Sequence, residues 1–254
     1  MRLLQTLPLS PLILTLTSLC SLTTASPSPQ APANGSPPPN PSTLPHRTLA
    51  GISVVDTPIV RDAQAFAKKY SPGSYNHIMR CWLWGALHLR HNATLAAQVD
   101  LEVHAVGIML HDIASDHNLS HPFVSRDRRF EVDSAIAAAG FVRSHRDGSK
   151  WPNWRVQRVW DGIALHAEPR FALYKEPDVF AIYWGNELDW SYGRPGGDRK
   201  GITEEEHAAV MKEFPNGDGG GDSDGPSTGL LWFIAWYCKY KPESTYGEFD
   251  RAPF

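Results

Sequence analysis

The sequence predicts an all-α fold, and three observations predict it. From residue 57 onward, apolar side chains recur at helical spacing rather than at every second position. Residues that start and stop helices bracket these stripes, and no stretch alternates apolar and polar residues over the length of a strand. At 254 residues, the chain is long enough for one domain with a sizeable core once its ends are set aside.

Met1 to Ala25 has the layout of a secretory signal peptide. Arg2 supplies the positive start, Leu3 to Leu22 a largely apolar stretch, and Thr23-Thr24-Ala25 a small-residue cleavage site. Pro8, Pro11 and interspersed Ser and Thr argue against a stable membrane span. Residues 26–48 are dominated by Pro, Ser, Ala and Asn, which bury too little apolar surface to fold. A disordered linker is expected there, followed by the domain over 49–254, in a protein secreted to the extracellular space.

Within the domain, Thr57-Pro58 opens a helix whose stripe is Ile59, Ala63, Phe66 and Ala67, and Ser71-Pro72-Gly73 breaks it. Tyr75 to His91 follows, with Asn76 as its expected N-cap and His77, Cys81, Trp84 and His88 at helical spacing. Asn92-Ala93-Thr94 ends that element. The next helix is strongly apolar (Val103, Val106, Ile108, Met109, Leu110), ends in His111-Asp112, and gives way to a polar loop from Ala114 to Arg126. Phe130 to His145 carries the stripe Ala135, Ile136, Ala139 and Val142, and Val156 to His166 carries Val156, Val159, Trp160 and Ile163. Pro169 closes the latter. Asp178 to Trp190 forms a helix with Asp189 near its end, and Thr203-x-x-Glu206 is a capping box opening a helix to Glu213. Asn216 to Ser227 is a Gly/Asp-rich loop that lacks the acidic residue needed to close a calcium site, and Leu230 to Tyr240 is a last apolar helix.

A net charge of −3 with no run of Lys or Arg speaks against nucleic acid and against an anionic membrane surface as partners. Nine tryptophans, six of them from Trp82 to Trp184, suit a well-filled interior or an aromatic-lined pocket for a small molecule. Cys20 leaves with the signal, so Cys81 and Cys238 remain as either a candidate disulfide or two buried thiols. Asn34, Asn92 and Asn118 each begin an N-glycosylation sequon, whereas Asn40 is disqualified by Pro41.

The adjacent pair His111–Asp112 ends a buried helix, where an unpaired carboxylate is costly. A bound metal satisfies both groups, since imidazole nitrogen and carboxylate oxygen are ligands of first-row divalent ions. In a helical fold such ligands are assembled from separate helices, and His77, His111, Asp112 and Asp189 each sit on one.

In order along the chain, YNHIMRCWLWG, VHAVGIMLHDIASD, RRFEVDSAIAAAGFVRSH, VWDGIALHA and GNELDWSYG resemble the HD-domain superfamily of metal-dependent hydrolases, and within it the cyanamide-hydratase-like HD proteins common in fungi. The likeness covers roughly residues 75–193. It implies a helical bundle with a central metal site, in which His77, His111, Asp112 and Asp189 bind one divalent ion, zinc before iron(II) or manganese. Metal-bound water would then attack a small substrate, with Asp112 at the reacting centre. His166 is a candidate acid/base, a second-metal ligand, or a satisfied buried histidine. Glu131 either orients a ligand histidine or complements its helix dipole. Arg80 either clamps an anionic substrate or pairs with a carboxylate, and Asp116 and His117 are candidates for the pocket rim. A phosphoester hydrolase would draw on Arg126, Arg128 and Arg129, a di-iron oxygenase on His145 and His166. A non-enzymatic binding module is the remaining alternative, and oligomeric state is left open.

Overall fold

An antiparallel hairpin opens the described part of the chain, β1 (His46–Leu49) pairing with β2 (Ile52–Val55) so that His46 faces Val55 and Leu49 faces Ile52. The turn between them consists of Ala50 and Gly51, both at positive φ (47° and 75°), the primed-turn geometry that matches strand twist. Four-residue strands are too short to show alternation, so no sequence pattern announces them. The computed structural model describes residues 43–191, 199–216 and 234–246. The expected signal peptide with Cys20, the linker up to residue 42, the Asn34 sequon, residues 217–227 of the Gly/Asp-rich loop and residues 230–233 of the last helix lie outside these residues.

The rest is helical: α1 (Pro58–Tyr70), α2 (Tyr75–His91), α3 (Ala93–Ala96), α4 (Leu101–Leu110), α5 (Phe130–Ser144), α6 (Asn153–Ala164), α7 (Pro169–Ala172), α8 (Pro177–Ser191), α9 (Glu204–Glu213), and α10 over 234–240. None of the described helices is long and apolar enough to cross a membrane. The capping box at Thr203 and Glu206 forms as expected. Local differences have local causes. Ser74 rather than Asn76 occupies the N-cap of α2, because the Asn76 amide donates to the Pro215 carbonyl at 3.0 Å. Asn92 does end α2, but its side chain accepts from the Leu95 amide and so starts α3. Pro169 opens α7 instead of merely closing α6, as a proline at the first helical position can. Ile136 is 47% exposed, since α5 turns Ala135, Ala138 and Ala139 inward.

The core is built around α4, in which every residue from Val103 to Leu110 is buried and which packs against α1, α2, α5, α6 and α8. A helix apolar on all sides belongs at the centre of a layered fold. Two glycines set the close approaches. A Cβ on Gly107 would lie 2.4 Å from the Ile182 side chain, and one on Gly185 would lie 2.7 Å from the Cys81 carbonyl oxygen. The second contact seats α8 directly on α2.

Having no polar face, α4 is held at its start by a buried charged collar. Asp100 caps it by accepting from the amides of Glu102 and Val103, and Arg155 bonds the same carboxylate at 2.8 Å. Asp178 accepts from the Asp100 amide at 2.6 Å while Arg158 pairs with its other oxygen at 2.7 Å. This collar joins α4 to α6 and α8 and fixes where the other end of α4 delivers His111.

Candidate metal centre

His111 follows directly on α4 as its C-cap residue, and Asp112 lies in the turn beyond. The Asp112 carbonyl accepts from the hydroxyls of Ser71 (3.0 Å) and Ser115 (2.8 Å), and the Ala114 amide donates to Ser134 (3.0 Å). These latches hold the turn after the helix. His77 comes from the first turn of α2, and His166 from just past the end of α6.

Three imidazoles are tied down at Nδ1. His111 Nδ1–H donates to the Ile108 carbonyl at 2.6 Å, and His166 Nδ1–H to the Ile163 carbonyl at 2.7 Å. His77 Nδ1 lies 2.7 Å from Asp189 Oδ2, and because an ionised carboxylate only accepts, that nitrogen is the donor. The three Nε2 atoms converge on Asp112. Asp112 Oδ2 is 3.7 Å from His77 Nε2, and Oδ1 is 3.6 Å from His111 Nε2 and 3.8 Å from His166 Nε2. His77 Nε2 and His111 Nε2 are 3.3 Å apart.

These separations are too long for hydrogen bonds to the carboxylate. They suit donors that share one cation, since metal–ligand bonds near 2.0–2.1 Å at tetrahedral angles place neighbouring donors about 3.3 Å apart. Two imidazole acceptors in contact repel unless a cation lies between them, a proton or a metal ion. With no ion bound, that cation is a proton on His77, whose Nε2–H faces His111 Nε2 at 3.3 Å. Burial lowers the His77 pKa, but Cys81 and Asp189 more than offset it, and the value stands well above 6.5. Burial pushes the Cys81 thiol up to about 11, leaving it uncharged at neutral pH, so Asp189 carries the rise. Burial and neighbouring His77 depress His111 to about 3, and burial and His111 depress His166 to about 4. The imidazole nitrogens and the Asp112 carboxylate are donors of the kind a divalent ion takes.

Asp189, expected as the fourth ligand, stands behind His77. Its oxygens accept from Arg80 Nε (2.8 Å), Arg80 Nη2 (2.9 Å), Trp84 Nε1 (2.8 Å) and His77 Nδ1 (2.7 Å). A carboxylate offers about four lone-pair positions, and four donors occupy them. Burial raises its pKa, but His77 and Arg80 hold it well below the usual carboxylate range. Arg80 is thus an ion-pair partner, and its bidentate bond leaves it no role as a substrate clamp.

Of the two readings of Glu131, orienting a ligand histidine or complementing its helix dipole, the structure fits the second: it lies in the first turn of α5 and its carboxylate bonds away from the histidines. One oxygen accepts from the Tyr246 hydroxyl and the other lies 3.4 Å from Arg129 Nη2, while Asp189, Ile108 and Ile163 do the orienting. His145 is also removed from the cluster, because its ring nitrogens serve Asp62 (2.9 Å) and the Asp147 amide (3.0 Å); it does not join His166 as a second pair of ligands. His117 is exposed and lies against Trp236 of α10 at 5.0 Å between ring centroids, with half-buried Asp116 before it. The sequon residues Asn92 and Asn118 are both exposed. Among the phosphate candidates, Arg128 is engaged by buried Asp133 at 2.8 Å and Arg129 lies over the Tyr246 ring at 3.9 Å, leaving exposed Arg126.

Cys81 and Cys238 are both free, so the candidate disulfide does not form. Cys81 is fully buried on α2 beside His77, whereas Cys238 sits on α10 against the aromatic cluster of Phe130, Tyr237 and Tyr246. That cluster reaches the site through Phe130, whose ring lies 5.6 Å from that of His166, and on the other side Trp190 lies 5.8 Å from His77. Sequence reasoning does not single out Ser71, Cys81 or Trp84 as parts of a metal site. Of these, Cys81 and Trp84 do stand at helical spacing from His77, which is the signal that could have found them.

No family model matches the chain, and a search of curated proteins finds no match either.

Proposed function

We propose that the chain is a metal-dependent hydrolase or hydro-lyase of the HD-domain type, acting on a small uncharged substrate. The observation that carries this reading is the convergence of three Nδ1-tethered imidazoles on Asp112. His77 and His111 through Nε2, with Asp112 through its carboxylate, would hold one divalent ion, zinc ahead of iron(II) or manganese. An ion so bound lowers the pKa of a coordinated water toward neutrality and supplies a hydroxide nucleophile.

The chain's own groups do the rest. The Asp189 and Ile108 bonds keep the His77 and His111 lone pairs aimed inward. His166 is a neutral ring whose Nε2 faces the same carboxylate, so it is placed to take a proton from the attacking water and return it to the substrate nitrogen or leaving group. Phe130 and Trp190 wall the site, and the His77 and Asp112 side chains are only 15% and 14% exposed, which suits a small substrate such as cyanamide or a nitrile. The engagement of Arg128 and Arg129 argues against a phosphoester.

Elemental analysis of protein secreted from a eukaryotic host tests this, beside a His111→Ala/Asp112→Ala double variant. About one equivalent of metal, lost in the variant, is expected from a mononuclear site. Turnover would then be assayed on cyanamide, nitriles and phosphoesters. A folded protein that takes up no metal even on reconstitution overturns the reading.

A further inference from the structure

A cavity of about 260 Å³ lies between strand β2, helices α2 and α3, and the start of α4. That is close to the lower end, about 300 Å³, of the range for small-molecule sites. Val54, Trp82, Ala86, Leu89 and Leu101 make its walls mostly apolar. His104, only 2% exposed, also lines it and stands about 10 Å before His111 along α4.

His104 is the observation that points to a ligand. Its Nε2 has no hydrogen-bond partner, and none of the described residues bonds its Nδ1. Buried imidazoles are rarely left so, because desolvating a polar group without a bond is costly. His111 and His166, the other strongly depressed histidines, each bond a backbone carbonyl through Nδ1. In His104, Nε2 packs over Gly85, where an added Cβ would lie 2.4 Å from it, so Nδ1 is the nitrogen left to an occupant of the cavity. Burial and the nearby His88 push His104 down to about 3, and the ring is uncharged at neutral pH. Arg90, the charged residue on the lining, is exposed and pairs with Glu206, so the lining asks for no counter-ion.

We propose that this cavity is a binding site separate from the metal centre, for a small uncharged molecule with an apolar body and one hydroxyl that bonds His104. A hydroxyl suits either tautomer, because it can donate to an Nδ1 lone pair or accept from Nδ1–H. A carboxylate would be desolvated beside a neutral ring, and a pure hydrocarbon would leave His104 without a partner. The proposal is independent of the metal reading, since none of its residues belongs to the candidate metal centre.

The probes are 4-ethylphenol, ethylbenzene and 4-ethylbenzoate, added to the full chain and followed by titration calorimetry and saturation-transfer NMR. The phenol is expected to bind saturably and ethylbenzene about 10-fold more weakly, the usual cost of leaving a buried polar group unpaired. The carboxylate should not bind. His104→Leu should bind the phenol and the hydrocarbon alike, and Ala86→Leu, which fills the cavity from α2, should lose both. Circular dichroism checks that each variant is folded, and because the two substitutions lie on different helices, a packing defect in one leaves the other as a test. No binding of 4-ethylphenol by the folded chain, equal binding of ethylbenzene, or a preference for the phenol that survives His104→Leu overturns the proposal. Binding that persists in Ala86→Leu places the ligand elsewhere and overturns it too. None of these outcomes bears on the metal reading.

Discussion

Asp189 Oδ2 lies 2.7 Å from His77 Nδ1, and the same carboxylate accepts from Arg80 twice and from Trp84 once. The relationship joins the end of α8 to the first turn of α2. It fixes both the tautomer of His77 and the direction of its free lone pair. Asp189→Asn should lower metal affinity on the order of 10- to 100-fold, the usual cost of losing a carboxylate behind a ligand histidine. It should also destabilise the metal-free protein by about 3–5 kcal/mol, since the Arg80 guanidinium is left buried without its counter-ion. Zinc competition titrations and urea unfolding measure the two effects separately. An unchanged zinc affinity would refute the positioning role.

Much of this arrangement is legible in the sequence, for identifiable reasons. Periodicity locates the helices because each buries a stripe, and α2 runs over the residues the pattern indicates, Tyr75–His91. The capping box is readable because both its partners lie within one turn. The hairpin is not, because strands of four residues leave no pattern to detect. Which atoms each side chain spends on its neighbours is not legible either. Asp189 is the same residue type whether it binds a metal or holds His77, and only the positions of Arg80 and Trp84 show how its lone pairs are used. In sequence His145 and His166 are both candidates for a second metal, His145 the weaker because it precedes a turn where exposure is expected, although its side chain is only 5% exposed. What separates them is Asp62, which reaches the His145 ring from α1, a helix remote along the chain.

Three buried neutral histidines should make the metal-free protein sensitive to acid. Burial depresses His104 and His111 to about 3 and His166 to about 4, from an ordinary value of 6.5. Between those limits the unfolded chain binds more protons than the folded one, so stability rises with pH there. Their contribution is complete above pH 6.5 and is lost as pH falls toward 4 and then 3. His77 has the opposite sign, as its raised value favours the folded state below pH 6.5 and that contribution fades as pH rises through the folded value. Three groups against one should leave a net fall of several kcal/mol, at about 1.4 kcal/mol for each tenfold change in proton affinity. Urea midpoints of chelator-treated protein, compared between pH 7.5 and pH 4.5 with His104→Gln as a control outside the cluster, test the sign; a flat profile would contradict it.

Glycine substitutions separate close packing from backbone freedom. On Gly185→Ala, the new methyl would meet the Cys81 carbonyl at 2.7 Å and Ile108 at 2.5 Å, forcing α8 away from α2. The expected cost is about 1–3 kcal/mol. Because Asp189 rides on α8 and His77 on α2, weaker metal binding should accompany it. Gly140 is exposed within α5, and a methyl added there would have nothing within 4 Å, so Gly140→Ala should instead stabilise by about 0.5–1 kcal/mol. Thermal unfolding of the two variants should move in opposite directions, and a matched fall in both would remove the packing explanation.

Tyr246 does for α5 what a side-chain cap at its N-terminus does not. Arg129 occupies the N-cap without its side chain capping the helix amides, and the Tyr246 hydroxyl accepts from the Phe130 amide at 3.2 Å while donating to Glu131. The segment at 234–246 is thereby fastened to the helix that presents Phe130 to His166. Tyr246→Phe keeps the ring but leaves an amide and a carboxylate oxygen buried and unpaired, which should cost about 1–3 kcal/mol. Metal affinity should not change, because no ligand depends on that hydroxyl. Tyr246→Ala also removes the ring from the Phe130 and Tyr237 cluster and should loosen the wall beside His166. Urea unfolding gives the first effect, and zinc titration shows whether it stays separate from the metal centre. A loss of zinc affinity in Tyr246→Phe would mean that Glu131 acts on the ligands after all.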